Sequence, residues 1–164
     1  MLTLQEMLLR LGLAVILGLV IGLEREMAGK EAGLRTDMMV AAGSAIFSIV
    51  ALSLPYIIAT SPENLPDIIA RNSGFLTVIA NVVVGVGFLG AGIIVKHGVH
   101  VRGLTTAATI WFVSAIGILC GIGLTSFAIV SAIGITVILE ILRRSNLHAF
   151  SGKDSENGSE NNGA

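Results

Sequence analysis

Five apolar runs, each about as long as a helix needs to cross a bilayer, constrain this chain more than any other feature. They occupy residues 7–23, broken only by Arg10, then 38–59 and 75–95, and finally two runs within 104–142. That last stretch is about twice too long for one span. Gly121-Ile122-Gly123 near its middle offers a tight turn, which divides it into spans at 104–120 and 124–142. The fold expected is an all-α polytopic membrane bundle of five transmembrane helices over residues 1–144, followed by a polar tail at 145–164. The tail is rich in Ser, Asn, Gly and Glu and has too few apolar groups to offset the entropy of ordering, so it is read as disordered.

The composition agrees. Hydrophobic residues make up 54% of the chain and charged residues only 13%, with a mean hydropathy of +0.88, whereas soluble domains carry about 25% charge. One cysteine, Cys120, provides neither a disulfide framework nor a cysteine-based zinc site. A net charge of -1 without a basic stripe argues against a nucleic-acid partner.

The first run is read as an uncleaved helix, not a signal peptide. It is long, it lacks a small-x-small cleavage site, and it ends directly in Glu24-Arg25-Glu26. With five spans, eight of the ten Lys and Arg residues fall on one side: Arg25, Lys30, Arg35, Lys96, Arg102, Arg143, Arg144 and Lys153. Arg10 and Arg71 are on the other. The excess predicts that the N-terminus faces out and the C-terminus faces the cytoplasm.

Small residues recur four apart: Gly18 with Gly22, Ala41 with Ala45, Ser44 with Ser48, Gly87 with Ala91, Gly117 with Gly121, and Ala128 with Ala132. Such spacing lets helix backbones approach closely, either inside the bundle or against a second membrane protein. Gly85-Val86-Gly87-Phe88-Leu89-Gly90 matches the dinucleotide-binding fingerprint in letters only. It lies inside an apolar span, with no strand before it, and together with Gly92 reads as a packing surface.

Two segments echo one another. Gly33-Leu34-Arg35-Thr36 opens the second span, and Gly103-Leu104-Thr105-Thr106 opens the fourth, each after a glycine-rich span and a short basic loop. Thr36, Asp37, Thr105 and Thr106 stand where helices begin, so each is expected to cap an orphan backbone N–H. The alternative is that two positive helix ends, with Lys30, Arg35, Lys96 and Arg102 nearby, form an anion or lipid-headgroup site.

Glu24, Arg25, Glu26, Glu31 and Asp37 around the first loop read as a solvated, mutually paired charge cluster. No Asp or Glu lies mid-span, which argues against a pump or channel built from this chain alone. Asn81 is the strongest polar residue within a span, and a hydrogen bond to a Ser or Thr of another helix would satisfy it. Arg10 is expected to snorkel and to pair with Glu6. His97, His100 and His148 lack the convergent spacing of a metal site, and no nucleophile, base and orienting group come together. The expectation is therefore a non-enzymatic protein without cofactor or metal.

Gly22-Leu23-Glu24-Arg25-Glu26, Gly33-Leu34-Arg35-Thr36, residues 86–94 from Val86 to Ile94, and residues 101–111 from Val101 to Trp111 occur in the order and spacing of the MgtC/SapB family of bacterial membrane proteins, which residues 5–142 resemble. The resemblance implies a multi-pass protein of the bacterial inner membrane, linked in some members to growth at low magnesium and to virulence. It further implies a regulator that binds other integral membrane proteins, the membrane sector of ATP synthase among them. The chain departs from the family pattern in three places. A polar tail stands where many members carry a cytoplasmic domain. Asn72-Ser73-Gly74-Phe75 replaces a common Asp-Pro-x-Arg, and His100 stands where many have Asn.

The leading expectation is thus a protein that acts through helix contacts in the bilayer. Gly18, Gly22, Gly85, Gly87, Gly90, Gly92, Gly117 and Gly121 would permit close approach. Glu24, Arg25, Arg35, Thr36, Asp37, Asn81, Arg102, Thr105 and Thr106 form the polar part of the motifs. The alternative is an ion transporter or transporter subunit, with a homo-oligomer supplying the pore that one chain lacks.

Overall fold

A computed structural model describes residues 2–59, 61–71, 74–97 and 100–151. Its elements are α1 (Leu4–Met27), α2 (Leu34–Ile58), a short 3-10 turn (Pro62–Asn64), α3 (Leu65–Arg71), α4 (Gly74–Ile93), β1 (Val95–His97), β2 (His100–Arg102), α5 (Leu104–Ile122) and α6 (Thr125–Ser151). Five of the helices, α1, α2, α4, α5 and α6, are long and apolar enough to span a membrane. These are the five expected spans.

Local chemistry shifts their boundaries, outward at the start of α1 and α2 and the end of α6, and inward at the end of α4, which stops at Ile93 ahead of β1 rather than reaching residue 95. Thr3 accepts from the Glu6 backbone N–H at 3.2 Å while the Glu6 carboxylate accepts from the Thr3 N–H at 2.8 Å, a reciprocal capping box that starts α1 at Leu4. The turn at Gly121-Ile122-Gly123 is placed by its last residue. Gly123 takes φ +92, the left-handed conformation that costs glycine least, and the Leu124 N–H closes back on the Leu119 carbonyl at 2.9 Å. Helix α6 runs on to Ser151, so the polar tail begins later than Ser145. Residues 152–164, which complete the segment expected to be disordered, lie outside the described residues. Around the expected loop at 96–103, strands β1 and β2 pair antiparallel, Val95 with Arg102, Lys96 with Val101 and His97 with His100.

The core is a trio of α1, α2 and α5. Each presents an inward stripe at helical spacing: Ala14, Gly18, Ile21, Gly22 and Arg25 on α1; Asp37, Ala41, Ser44, Ala45 and Ser48 on α2; Thr106, Ile110, Val113, Gly117 and Gly121 on α5. Missing side chains set the spacing. A Cβ on Gly18 would stand 2.7 Å from the Asp37 carbonyl oxygen, one on Gly22 2.7 Å from Leu34 Cα, and one on Gly121 2.6 Å from Ser48 Cβ, while one on Gly117 would overlap the Ala41 carbonyl oxygen. Between α2 and α5 the buried Ser44 and Ser114 hydroxyls share a hydrogen bond of 2.9 Å, which satisfies both away from water.

Helices α4 and α6 attach to the trio on its outside, α4 against α2 and α5, α6 against α1 and α5. Their spans are only 6% and 11% buried, against 44% and 50% for α2 and α5. Small-residue spacing therefore marks two environments. Ala41, Ala45, Ser44, Ser48, Ala128 and Ala132 are buried, whereas Gly87 and Ala91 on α4 are exposed.

Candidate functional site

The three inward stripes converge on polar residues at one end of the bundle. Gly18, Gly22 and Arg25 are spaced four and three apart on α1, so the face that glycine opens to α2 carries Arg25 inward with it. Asp37 and Thr106 take the corresponding places on α2 and α5. Arg25 is 2% exposed, Asp37 0% and Thr106 1%, and Glu24 is also buried. The Glu24 to Asp37 region is consequently not the solvated, mutually paired cluster expected. The stripe geometry buries Glu24, Arg25 and Asp37 and leaves Glu26, Lys30 and Glu31 at the surface.

A hydrogen-bonded relay links two of these helices, α1 and α5, to the loop. The Arg25 guanidinium donates through Nη2 to Thr106 Oγ1 at 3.0 Å, and the same hydroxyl donates to Glu31 Oε2 at 2.7 Å. Thr106 uses its acceptor and its donor at once, the full capacity needed to join a cation to an anion. Donation from Thr106, with smaller contributions from Lys30 and Arg25, holds the Glu31 carboxyl below the usual carboxylate range. Asp37 is different. Both its carboxylate oxygens are buried without a hydrogen-bond partner, as are Arg25 Nε and Glu24 Oε2, and Arg25 is the charge that acts on Asp37.

Capping does not explain the loop-end residues. The N-caps of α2 and α5 are Gly33 and Gly103, and neither helix has a side-chain cap of its own. Thr36, Asp37, Thr105 and Thr106 lie within the first turn beyond those caps, and of the four Thr106 is the one bonded to tertiary neighbours, Arg25 and Glu31. For α2 the orphan Leu34 N–H is satisfied by Glu26 Oε2 at 3.1 Å, from across the loop. Gly103 at φ +84 turns the chain from β2 into α5, and a Cβ there would overlap the Ile93 carbonyl oxygen.

Two clefts flank the relay and share Lys30 and Glu31. One, of about 410 Å³, is walled by Arg102, Thr105 and Thr106; the other, of about 350 Å³, by Glu26, Arg35 and Thr36. Of the four basic residues grouped by sequence, Lys30, Arg35 and Arg102 are thus gathered, and Lys96 lines neither cleft. Among the described residues no three His, Cys, Asp or Glu groups converge as metal ligands.

Other expected positions are placed elsewhere. Arg10 reaches across the far end of the bundle, where its Nη1 donates to the Gly121 carbonyl at 2.8 Å, near the negative end of α5. Glu6 is engaged with Thr3 instead, so the expected pairing of Arg10 with Glu6 is replaced by a contact over 111 positions. Asn81 is exposed on α4 and has no hydrogen-bond partner among the described residues; the expected Ser or Thr does not reach it. Gly90 rests against Ala107, 3.5 Å from where its Cβ would be, while Gly85, Gly87 and Gly92 face open space. Arg143 reads from sequence only as a topological charge. Its Nη1 donates to the Met27 carbonyl at 3.3 Å, tying α6 to the end of α1. A basic residue near the end of an apolar span was the available signal, but its target was not legible.

Five lipid-length helices packed through glycine and alanine, with a buried polar end, define a multi-pass integral membrane protein. Within that class the chain belongs to the MgtC family, whose model matches residues 11–147. It is 42% identical over 130 residues to Protein MgtC of Brucella abortus, covering 79% of this chain and 48% of that protein. It is 41% identical over 136 residues to Protein MgtC of Salmonella typhimurium, covering 83% and 52%, and 41% identical over 139 residues to an uncharacterized protein of Synechocystis, covering 85% and 53%. The chain spans about half the length of these relatives. No solved structure matches it.

Proposed function

We propose that this chain is a non-enzymatic protein of the bacterial inner membrane that regulates another integral membrane protein, in connection with magnesium limitation or virulence. Its N-terminus would face out and its C-terminus the cytoplasm, following the excess of Lys and Arg at the relay end. The observation that carries the reading is α4. A span with only 6% of its residues buried, and with Gly85, Gly87 and Gly92 meeting nothing, offers backbone surface of the kind that membrane helices use for close contact. The MgtC name of the relatives supports the magnesium link, and the family resemblance makes the membrane sector of ATP synthase a candidate partner.

In-membrane crosslinking from native cells grown at high and low magnesium tests this, with Gly87→Leu as the variant. Gly87 is the proper choice because a leucine at Gly90 would press on Ala107 and disturb the fold itself. A heterologous adduct present in the parent and lost in Gly87→Leu, at matched abundance, is the expected result. An unchanged set of adducts would sink the reading.

The buried Asp37 beside Arg25 favours a second reading, an ion transporter or transporter subunit, since charges removed from water inside a membrane bundle are costly and commonly mark ion paths. Sealed vesicles containing the protein would then carry magnesium, proton or potassium flux that Asp37→Asn abolishes. Absence of flux across all three gradients would remove this alternative.

A further inference from the structure

At 3.6 residues per turn, Asn81, Gly85, Phe88 and Gly92 fall within a sector of about 60° on α4, and Gly90 lies on the opposite side. Gly90 is the α4 glycine that meets α5, so this sector lies on the side of α4 away from α5. All four residues are exposed, and Phe88 is 85% exposed. Asn81 also lines a groove of about 450 Å³ shared with Phe47 of α2, in which every other lining residue is apolar or glycine.

An unpaired amide in hydrocarbon is expensive, because lipid provides neither donor nor acceptor. Any solution must supply both at the depth of Asn81. A second Asn81 does so, since the amide carries donor and acceptor side by side and is complementary to itself. The spacing of four, three and four from Asn81 to Gly92 is the repeat of a left-handed helix pair, and a single Asn in such a seam sets register and copy number. Gly85 and Gly92, one heptad apart, remove the side chains that would hold two backbones apart.

We infer that α4 pairs with α4 of a second copy of this chain, about a two-fold axis along the membrane normal, with the two Asn81 amides hydrogen-bonded to each other. The inference rests on the reading of α4 as a contact helix and names one of its partners. It uses the Asn81 sector, whereas Gly87 and Ala91 project roughly 130° and roughly 90° from its centre and stay free for a different protein.

The test is disulfide crosslinking of the full chain in membranes, with Phe88→Cys expressed in two differently tagged copies. The native Cys120 is buried and does not compete. Ile133→Cys, on the exposed face of α6, is the control. The expected result is a mixed-tag dimer through position 88 and none through 133. That dimer should fall roughly five- to thirty-fold in Phe88→Cys with Asn81→Leu and persist with Asn81→Gln, in keeping with the strength of interhelical polar pairs in membranes. An undiminished dimer with Asn81→Leu overturns the inference. If position 88 links only to another protein, the second-copy assignment fails while α4 remains a contact helix. If neither position 88 nor the native-cell crosslinking yields an adduct on α4, both readings fail together.

Discussion

The guanidinium of Arg25, at the end of α1, donates to the hydroxyl of Thr106, at the start of α5, across 3.0 Å and 81 positions of sequence. Thr106 passes the connection on to Glu31, so one hydroxyl ties two helices and a loop at the polar end of the bundle. Thr106→Val keeps the shape and deletes both bonds. It should cost about 1.5–3 kcal/mol, because the bond lost is to a buried charged group. Unfolding of the purified protein in mixed micelles measures this, and Thr106→Ser should retain most of the stability.

Glycines packed between the helices of the trio and glycines facing open space should respond oppositely to alanine. At Gly117 a Cβ overlaps the Ala41 carbonyl oxygen, so Gly117→Ala forces α2 and α5 apart and should destabilise by about 1–3 kcal/mol. Gly43→Ala and Gly134→Ala meet nothing within 4 Å and should be neutral or stabilising by up to about 1 kcal/mol, through helix propensity alone. The same micelle titration compares all three.

Glu31 should make the loop-to-α5 tie sensitive to acid. Its carboxyl is held below its ordinary value of 4.5 by the Thr106 hydroxyl, so the tie contributes fully above that value and is lost as pH falls through the lower, folded-state value. Protection of the α1–α2 loop against hydrogen exchange should fall in the parent protein as pH drops below the ordinary glutamate range. In Glu31→Gln the loop should exchange with no such step.

At the opposite end, Arg10 ties α1 to α5 through the Gly121 carbonyl. Arg10→Leu leaves that carbonyl and the C-terminal end of α5 without their cation and should cost about 1–2 kcal/mol. The thermal unfolding midpoint should drop accordingly, and Arg10→Lys should recover part of the loss.

Much of the architecture was legible because a bilayer leaves the chain few options. An apolar run of span length must close its own backbone hydrogen bonds, which makes it a helix, and the five spans follow from counting. The pairs Gly18 with Gly22 and Gly117 with Gly121 were legible as contact points for the same reason. What they touch was not, and neither was the distinction between them and Gly87 with Ala91, which has the same spacing and stands exposed.

The polar residues divide similarly. Position along the chain determined that Arg25, Asp37 and Thr106 sit at helix ends, and helix ends predict capping. Only tertiary structure decided that Gly33 and Gly103 take the cap positions and that the three side chains turn inward, because that choice depends on which glycine faces which helix. Sequence by itself determined the number of spans, the small-residue faces and the clustering of charge at one end, all consequences of local composition acting against lipid. Tertiary structure decided which faces are filled, that Arg25 binds Thr106 and Arg10 binds Gly121, and that Asn81 is left without a partner. Those outcomes depend on contacts between residues up to 111 positions apart, which no local pattern encodes.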